Sequence, residues 1–342
     1  MIGLIYLQDE RNQVFLITMT IKKVISKNKT QESLCFSLSL SAKPFLKWAG
    51  GKSQLLQTFQ TLYPAELKSN SIKNYYEPFL GSGAVFFDIV QRYKIEQAYL
   101  YDVNEELIIT YKAIQNDAGL LIDFLKKYQH TYSNLSKKQR ENYFYEQRNN
   151  YNLQRLNIDY NNYSSSWIPR AVQLIFLNRT CFNGLYRVNS KGEFNTPAGR
   201  YENPTICDEE NLLAVAKILE IAIIKKAGFK QVKGDLRSSA FVYFDPPYRP
   251  ISKTSAFKAY SKEAFNDSEQ KELAEVFNFI NKKGGKLMLS NSDPKNYDAD
   301  DNFFDELYKE YHIIRVPAKR MINSDAAKRG NINEIVVTNY PV

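Results

Sequence analysis

From Pro44 onward, short runs of β-type composition alternate with stretches of helical spacing, the pattern of a doubly wound α/β sheet. Asn74 to Phe79 reads as a strand, after which Gly81-Ser82-Gly83 turns the chain into a helical run, Ala84 to Tyr93. Gln97 to Tyr101 reads as a second strand ending at Asp102-Val103-Asn104, with Glu105 to Gln115 as the next helix. The rhythm breaks at Asp117. As far as about Asn162 the chain is rich in Tyr, Asn, Gln, Lys and Arg, with helical spacing only in patches. Ser164-Ser165-Ser166 reads as a loop, Trp167 to Asn178 as a helix, and Arg179 to Tyr201, punctuated by Gly184, Gly192, Pro197 and Gly199, as a hairpin-rich loop region. The α/β rhythm then resumes. Glu209 to Leu219 reads as a helix, and Ala222 to Ile224 and Phe229 to Val232 as short β-like runs. Phe241 to Phe244 follows as a strand. Glu269 to Asn281 reads as a helix capped by Asn266-Asp267-Ser268, Lys286 to Ser290 as a strand, and Ile313 to Val316 with Glu334 to Thr338 as a final antiparallel hairpin. The expected architecture is a Rossmann-like sheet over 44–116 and 208–342, interrupted by an inserted module at 117–207. Residues 1–43 stand apart as an extension without nameable chemistry, in which Met19 offers an internal start; a small extra hairpin packed on the body is the alternative.

Composition narrows the function classes. The 342 residues exceed the length at which single cores usually stop growing, so an insert or a second domain is expected. Lys plus Arg is 46 against 37 Asp plus Glu, a net charge of +9, which favours a polyanionic partner such as nucleic acid. Three cysteines (Cys35, Cys181, Cys207) without a CxxC pair argue against a disulfide scaffold or a thiolate zinc site and for a reducing compartment. With His130 and His312 the only histidines, neither a His-based metal site nor a Ser-His-Asp triad is expected. No apolar run approaches the ~18 residues of a membrane span, and the N-terminus lacks the features of a signal peptide, so a cytoplasmic protein without a membrane partner is expected.

The candidate chemistry sits at predicted strand ends, where open α/β sheets bind their ligands. Asp245-Pro246-Pro247-Tyr248 follows the apolar run Ala240 to Phe244. An Asp carboxylate accepts one N–H of an amine, a carbonyl in the Pro-Pro stretch accepts the other, and a Tyr ring stacks on a heterocycle. Together they suit the presentation of an exocyclic amine to a methyl donor; a Pro-rich turn is the plain alternative. Phe79-Leu80-Gly81-Ser82-Gly83 joins a strand to a helix N-terminus, a setting that favours an anion such as a carboxylate. Phe86 stands where a dinucleotide fingerprint needs its third glycine. Asp102, about 20 residues on, suits a ribose diol, with a helix cap as the other reading. A nucleoside carrying a carboxylate and no phosphates fits this set, and S-adenosylmethionine is such a molecule. Asp235 could reach its adenine end or simply close a turn. Lys47-Trp48-Ala49-Gly50-Gly51-Lys52-Ser53 resembles half a phosphate loop, but Leu46 replaces the first glycine and no clear strand precedes it, so a nucleotide triphosphatase is rejected. In the insert, Asn178 to Arg187 combines base-reading side chains with an aromatic next to Asn-Gly, which suits DNA contact or a polar surface hairpin.

Four segments, Lys47-Trp48-Ala49-Gly50-Gly51-Lys52, Glu77-Pro78-Phe79-Leu80-Gly81-Ser82-Gly83, Asn178 to Tyr201, and Phe244 to Tyr248, together closely resemble the Dam family of adenine-N6 DNA methyltransferases, in the same order. The resemblance covers residue 44 to the end, with Ile332 to Tyr340 similar to that family's last strand. It implies S-adenosylmethionine as donor, bound by Trp48, Lys52, Asp102 and Asp245, with Gly81 and Gly83 giving backbone access. It implies double-stranded DNA as partner, 117–207 as a target-recognition domain, and a flipped adenine held by Asp245, Pro246 and Tyr248. It further implies a GATC target. Lys47 and Arg187 fall on the guanine-reading positions, Leu185 and Pro197 on those meeting thymine, and Phe182 and Asn183 on those inserted into the duplex. Cys181 carries no role from it. A different target sequence or an RNA substrate is the alternative, and a paired restriction endonuclease is left open as a further partner.

Overall fold

The computed structural model describes residues 41–249, 265–319 and 331–342. All of them lie in the second of the two units into which the chain divides, 40–342. The readings for residues 1–40 and for Cys35 lie outside the described residues. Ala42 and Lys43 do belong to the folded body: the Ala42 N–H donates to Gln91 and the Lys43 N–H to Asn211.

Seven strands form one sheet: β1 (Asn74–Glu77), β2 (Gln97–Asp102), β3 (Ala222–Lys226), β4 (Ala240–Phe244), β5 (Lys286–Ser292), β6 (His312–Lys319) and β7 (Asn331–Thr338). Their order is β3-β2-β1-β4-β5-β7-β6. The pairs from β3 through β5 are parallel, and β7 runs antiparallel to both β5 and β6. The mixed α/β sheet ending in an antiparallel C-terminal hairpin agrees with the expected fold class. Side chains alternate between two cores, as a sheet covered on both faces requires. Tyr75, Ala98, Leu100, Phe241, Tyr243 and Met288 face one core; Tyr76, Tyr99, Tyr101, Val242, Phe244 and Leu287 face the other.

The helices are α1 (Leu56–Leu62), α2 (Ala84–Arg92), α3 (Glu105–Ser133), α4 (Lys137–Gln154), α5 (Trp167–Thr180), α6 (Glu209–Leu219) and α7 (Asp267–Lys282), besides several single turns. Two have the caps their sequences specify. Asn266 caps α7 with a reciprocal bond from its own N–H to Glu269, and the Asn104 side chain accepts the Leu107 N–H at the start of α3.

Two readings need correction. The helix expected to stop at Gln115 continues to Ser133, with Asp117 alone outside helical geometry, because Leu121, Ile122 and Leu125 renew its buried stripe beyond the polar interruption. The β-like run Phe229 to Val232 is a single 3-10 turn, Phe229–Gln231, followed by a helical turn, Val232–Asp235. Phe229 and Val232, three apart, both face the core, which is helical rather than strand spacing. The Tyr- and Asn-rich stretch before the Ser loop, legible only as patches, is the end of α3 and the whole of α4, the latter started by a Ser136–Gln139 capping box.

Helix α5 is buried almost all round, and its Arg170 is fully enclosed. The guanidinium forks onto the Glu106 carboxylate of α3, whose Oε1 also accepts the Tyr160 hydroxyl at 2.6 Å. A charge pair buried to this degree holds only when its remaining lone pairs are met, as they are here. It fastens α5 to the helix that leaves β2.

Candidate active site

The chain order reverses between β1 and β4, so their carboxyl ends open a crevice at a topological switch point. Two groups of side chains gather there.

The first group lies on the β1 and β2 side. Gly81 has φ +47° and Gly83 φ +68°, both in the left-handed region that glycine tolerates. Space demands glycine as well: a Cβ on Gly83 would stand 2.7 Å from the Tyr111 hydroxyl, and one on Gly81 3.1 Å from the Trp48 ring. Gly83 is the residue from which α2 springs, so the helix N-terminus faces the crevice. Asp102 accepts the Gly81 N–H at 3.0 Å through Oδ2 and the Asn104 N–H at 2.9 Å through Oδ1. It therefore ties the glycine turn to the end of β2, while the cap of the following helix falls to Asn104 rather than to Asp102. Burial raises the Asp102 carboxyl above its usual range, and the backbone donors oppose that shift. Phe79 stacks on Phe229 at the lip of the crevice. Asp235, at the end of the helical turn, accepts the Tyr101 hydroxyl at 2.6 Å and the Lys225 ammonium at 2.7 Å. It borders this group through Tyr101 but exchanges no hydrogen bond with the other predicted residues.

The second group surrounds Asp245, one residue past β4. The buried Lys52 places its ammonium 2.6 Å from Asp245 Oδ1 and donates to the Gly50 carbonyl at 3.0 Å. Ser290 of β5 donates to Asp245 at 3.3 Å. Burial raises the Asp245 carboxyl, and the lysine pulls it back. For Lys52, burial by itself lowers the ammonium pKa, but Asp245, Tyr248 and Glu334 reverse this and hold it above the ordinary lysine value. Pro246 is buried, and the Pro247 carbonyl receives the Gln270 amide at 3.4 Å. Tyr248 exposes its ring (41 %) and donates its hydroxyl to Glu334 at 2.7 Å. The Gly-Gly turn thus directs its lysine at a carboxylate.

Sequence reasoning missed four participants. Glu334 gave no signal because it belongs to the one reversed strand, and only the register Ser292↔Glu334 brings it beside β5. Tyr186 stacks on Trp48 with centroids 5.0 Å apart and so backs the first group from the insert. Asn178, fully buried, accepts the Lys47 N–H and donates to the Lys47 and Gly184 carbonyls, which fixes the segment before the Gly-Gly turn against the insert. Glu77, at the end of β1, is pushed up to about 8 by burial, against the hydrogen bond from Tyr75 that lowers it, with the nearby Asp245 charge raising it further.

The last shift has a measurable consequence. Glu77 holds its proton in the folded chain at pH values where the unfolded chain, with an ordinary carboxyl, has lost it. Its contribution to stability is complete below the unfolded pKa and disappears as pH rises through about 8. The slope is at most ~1.4 kcal/mol per pH unit. Glu77→Gln should flatten the fall in melting temperature across that window; an unchanged slope would remove Glu77 as its source.

The predicted DNA-facing residues cluster around α5's exit. Phe182 is half exposed (50 %) on a 3-10 turn with Asn183 at φ 55°, a conformation that Asn tolerates. The Phe182 N–H donates to the Pro197 carbonyl at 2.8 Å, and bridges Cys181↔Ala198 and Val188↔Phe194 close a short antiparallel arm. Leu185 is half-buried in that arm, Pro197 is exposed, and Arg187 is exposed with its guanidinium on Asn195. Lys47 joins them from the other side of the chain. Its stem lies so close to Gly184 that a Cβ there would stand 2.8 Å from the Lys47 Cβ, and its ammonium sits over the Tyr201 ring at 4.7 Å.

A switch-point crevice on a mostly parallel sheet with one reversed strand, β7, is consistent with an S-adenosylmethionine-dependent methyltransferase fold. Residues 48–322 match the family of D12 class N6 adenine-specific DNA methyltransferases, and the chain belongs to that family. It is 44% identical over 302 residues to the Type II methyltransferase M.MjaIII of Methanocaldococcus jannaschii, covering 88% of this chain and 100% of the relative. It is 36% identical over 303 residues to the Type II methyltransferase M1.LlaDCHI of Lactococcus lactis, covering 88% and 96%. The DNA adenine methylase of Escherichia coli is 28% identical over 299 residues, covering 87% and 96%. The protein is thus an adenine-specific DNA methyltransferase. Among the described residues no group of side chains could hold a metal ion, and no helix is long and apolar enough to cross a membrane.

Proposed function

We propose that the chain transfers a methyl group from S-adenosylmethionine to N6 of an adenine rotated out of double-stranded DNA, within GATC. The observation that carries this reading is the meeting, at one switch point, of a glycine turn tied to Asp102 and a lysine-bound Asp245 beside an exposed tyrosine ring. The first group fits the donor. Asp102 retains lone pairs for a ribose diol, the α2 N-terminus suits the carboxylate, and Trp48, Phe79 and Asp235 border the same crevice. The donor would supply a methyl on a sulfonium, whose sulfur departs as a neutral thioether and needs no acid to leave.

The second group fits the acceptor. Asp245 and the Pro246 carbonyl each accept one amine N–H, which localises the nitrogen lone pair toward the methyl. Pro247 fixes the backbone that carries Tyr248, whose ring stacks on the base. The C–S bond breaks as N6–CH3 forms, and the amine proton leaves to water. Alignment of the reacting atoms supplies most of the acceleration.

Rotating the adenine out of the duplex costs a few kcal/mol of unstacking. Phe182 and Asn183, projecting from the insert, fill the gap. Lys47 and Arg187 read the guanines, and Leu185 and Pro197 meet the thymine. On this reading 117–207 is the target-recognition domain. The Type II designation of two relatives supports pairing with a restriction endonuclease.

Incubation with S-adenosylmethionine and plasmid DNA, followed by mapping of N6-methyladenine, tests the proposal. Methylation confined to GATC is expected. Methylation elsewhere would keep the chemistry and overturn the base-reading assignments, and methylation of RNA alone would overturn the substrate. Arg187→Ala should lose ~1–3 kcal/mol of discrimination at one base position. Equal discrimination between cognate and substituted sites would count against that role.

A further inference from the structure

Glu334 is placed by the reversed strand against both members of the acceptor group. Its Oε1 accepts the Tyr248 hydroxyl at 2.7 Å. Its Oε2 is buried, has no hydrogen-bond partner among the described residues, and lies 3.9 Å from the Lys52 ammonium. Lys52 has three N–H donors and uses two, on Asp245 at 2.6 Å and on the Gly50 carbonyl at 3.0 Å. An unpaired buried carboxylate oxygen next to a lysine with a spare donor is an unfinished contact, since each such buried acceptor costs stability. Closing it needs a shift of about 1 Å, because an ordinary N⁺–H···O⁻ bond is about 2.7–2.9 Å long.

The contact matters because Lys52 and the incoming amine share one carboxylate. On the proposed function, on which this step rests, Asp245 accepts an amine N–H through Oδ2, while Lys52 and Ser290 on Oδ1 draw negative charge away from that acceptor. A lysine that withdrew into water would leave Asp245 uncompensated in a buried site. A lysine that moves to a second carboxylate keeps the charges balanced throughout.

We infer that Glu334 is a positioning residue that takes the Lys52 ammonium from Asp245 when the target amine arrives, while anchoring the Tyr248 ring through its other oxygen. No bond is made or broken in the handover; one charge-assisted hydrogen bond is exchanged for another. The two oxygens have separable tasks. Glu334→Gln retains an acceptor for the Tyr248 hydroxyl but has no charge for Lys52. Tyr248→Phe retains the ring and the Glu334 charge but loses the anchor.

The test compares these two variants and their double mutant with the wild type. Readouts are single-turnover methylation of a duplex at saturating DNA, donor affinity by titration calorimetry, and fluorescence of a 2-aminopurine at the target position. Glu334→Gln should melt like the wild type, bind the donor with unchanged affinity and flip the base. Its single-turnover rate should fall up to about 100-fold, the scale of a misplacement near 1 Å at the reacting centre. Tyr248→Phe should lose less, and the double mutant more than either.

A wild-type rate in Glu334→Gln overturns the handover. So does a double mutant no slower than Tyr248→Phe, since Glu334 would then act through the ring alone. A loss confined to donor affinity would move Glu334 into the donor pocket and likewise overturn it. Failure of the underlying reading has a different signature: Asp245→Asn, run in parallel, would then keep its turnover.

Discussion

Asp245→Ala is expected to abolish methylation while donor binding at the Gly81–Asp102 end survives in part. Removing one preorganised hydrogen-bonding group at a reacting centre costs about 10²–10³-fold in rate. Here the same substitution also exposes Lys52 to an electrostatic penalty. Its side chain is 3 % exposed, and its ammonium pairs with Asp245 at 2.6 Å. Breaking a buried pair from one side costs about 3–5 kcal/mol. Glu334, 3.9 Å away, relieves part of that. The clean comparison is therefore Asp245→Asn, which leaves an oxygen for Lys52 and removes only the charge. Both variants should remain folded by circular dichroism and inactive in a tritiated-methyl transfer assay. Near-normal turnover in either would remove Asp245 as the amine acceptor.

Lys52→Met should show the second large effect, on activity and on pH dependence together. Without the ammonium, Asp245 and Glu334 face each other in a buried site with no cation between them. Burial already raises both carboxyls, and the Lys52 ammonium is the strongest influence opposing it in each case. Its removal raises them further, so the folded chain binds protons that the unfolded chain, with ordinary carboxyls, does not. The stability tied to these protons is complete below the unfolded pKa and is lost as pH rises through the folded values. Lys52→Met should accordingly be most stable in acid and lose stability toward neutral pH more steeply than the wild type. The added slope is at most ~1.4 kcal/mol per pH unit for each group. Melting curves from about pH 5 to pH 8 resolve a slope of this size, since about 1 kcal/mol shifts the midpoint by a few degrees even in a large domain. A profile parallel to the wild type would mean that Lys52 does not compensate the two carboxylates.

The local chemistry of the crevice was legible in the sequence because its parts are short and contiguous. Gly81-Ser82-Gly83 needs left-handed φ at two positions between a strand and a helix, and only glycine meets that need without strain. Asp102 and Asp245 end strands whose alternation is plain from composition, and the Asn266–Glu269 cap announces α7 before any packing is known. The lengths of α3 and α4 were not legible, because the α3 stripe resumes at Leu121 only after a polar interruption and the α4 stripe of Phe144, Gln147 and Tyr151 is mostly polar or amphipathic.

The sequence by itself determined the doubly wound order of elements and the residue types that line the crevice. Tertiary structure alone decided which of those residues meet. Lys52 and Asp245 are separated by 193 positions and Tyr248 and Glu334 by 86, yet each pair is in contact. No local periodicity encodes such distances. They follow from parallel strands delivering their carboxyl ends to one edge of the sheet, and from β7 running backwards so that its first residues reach that same edge.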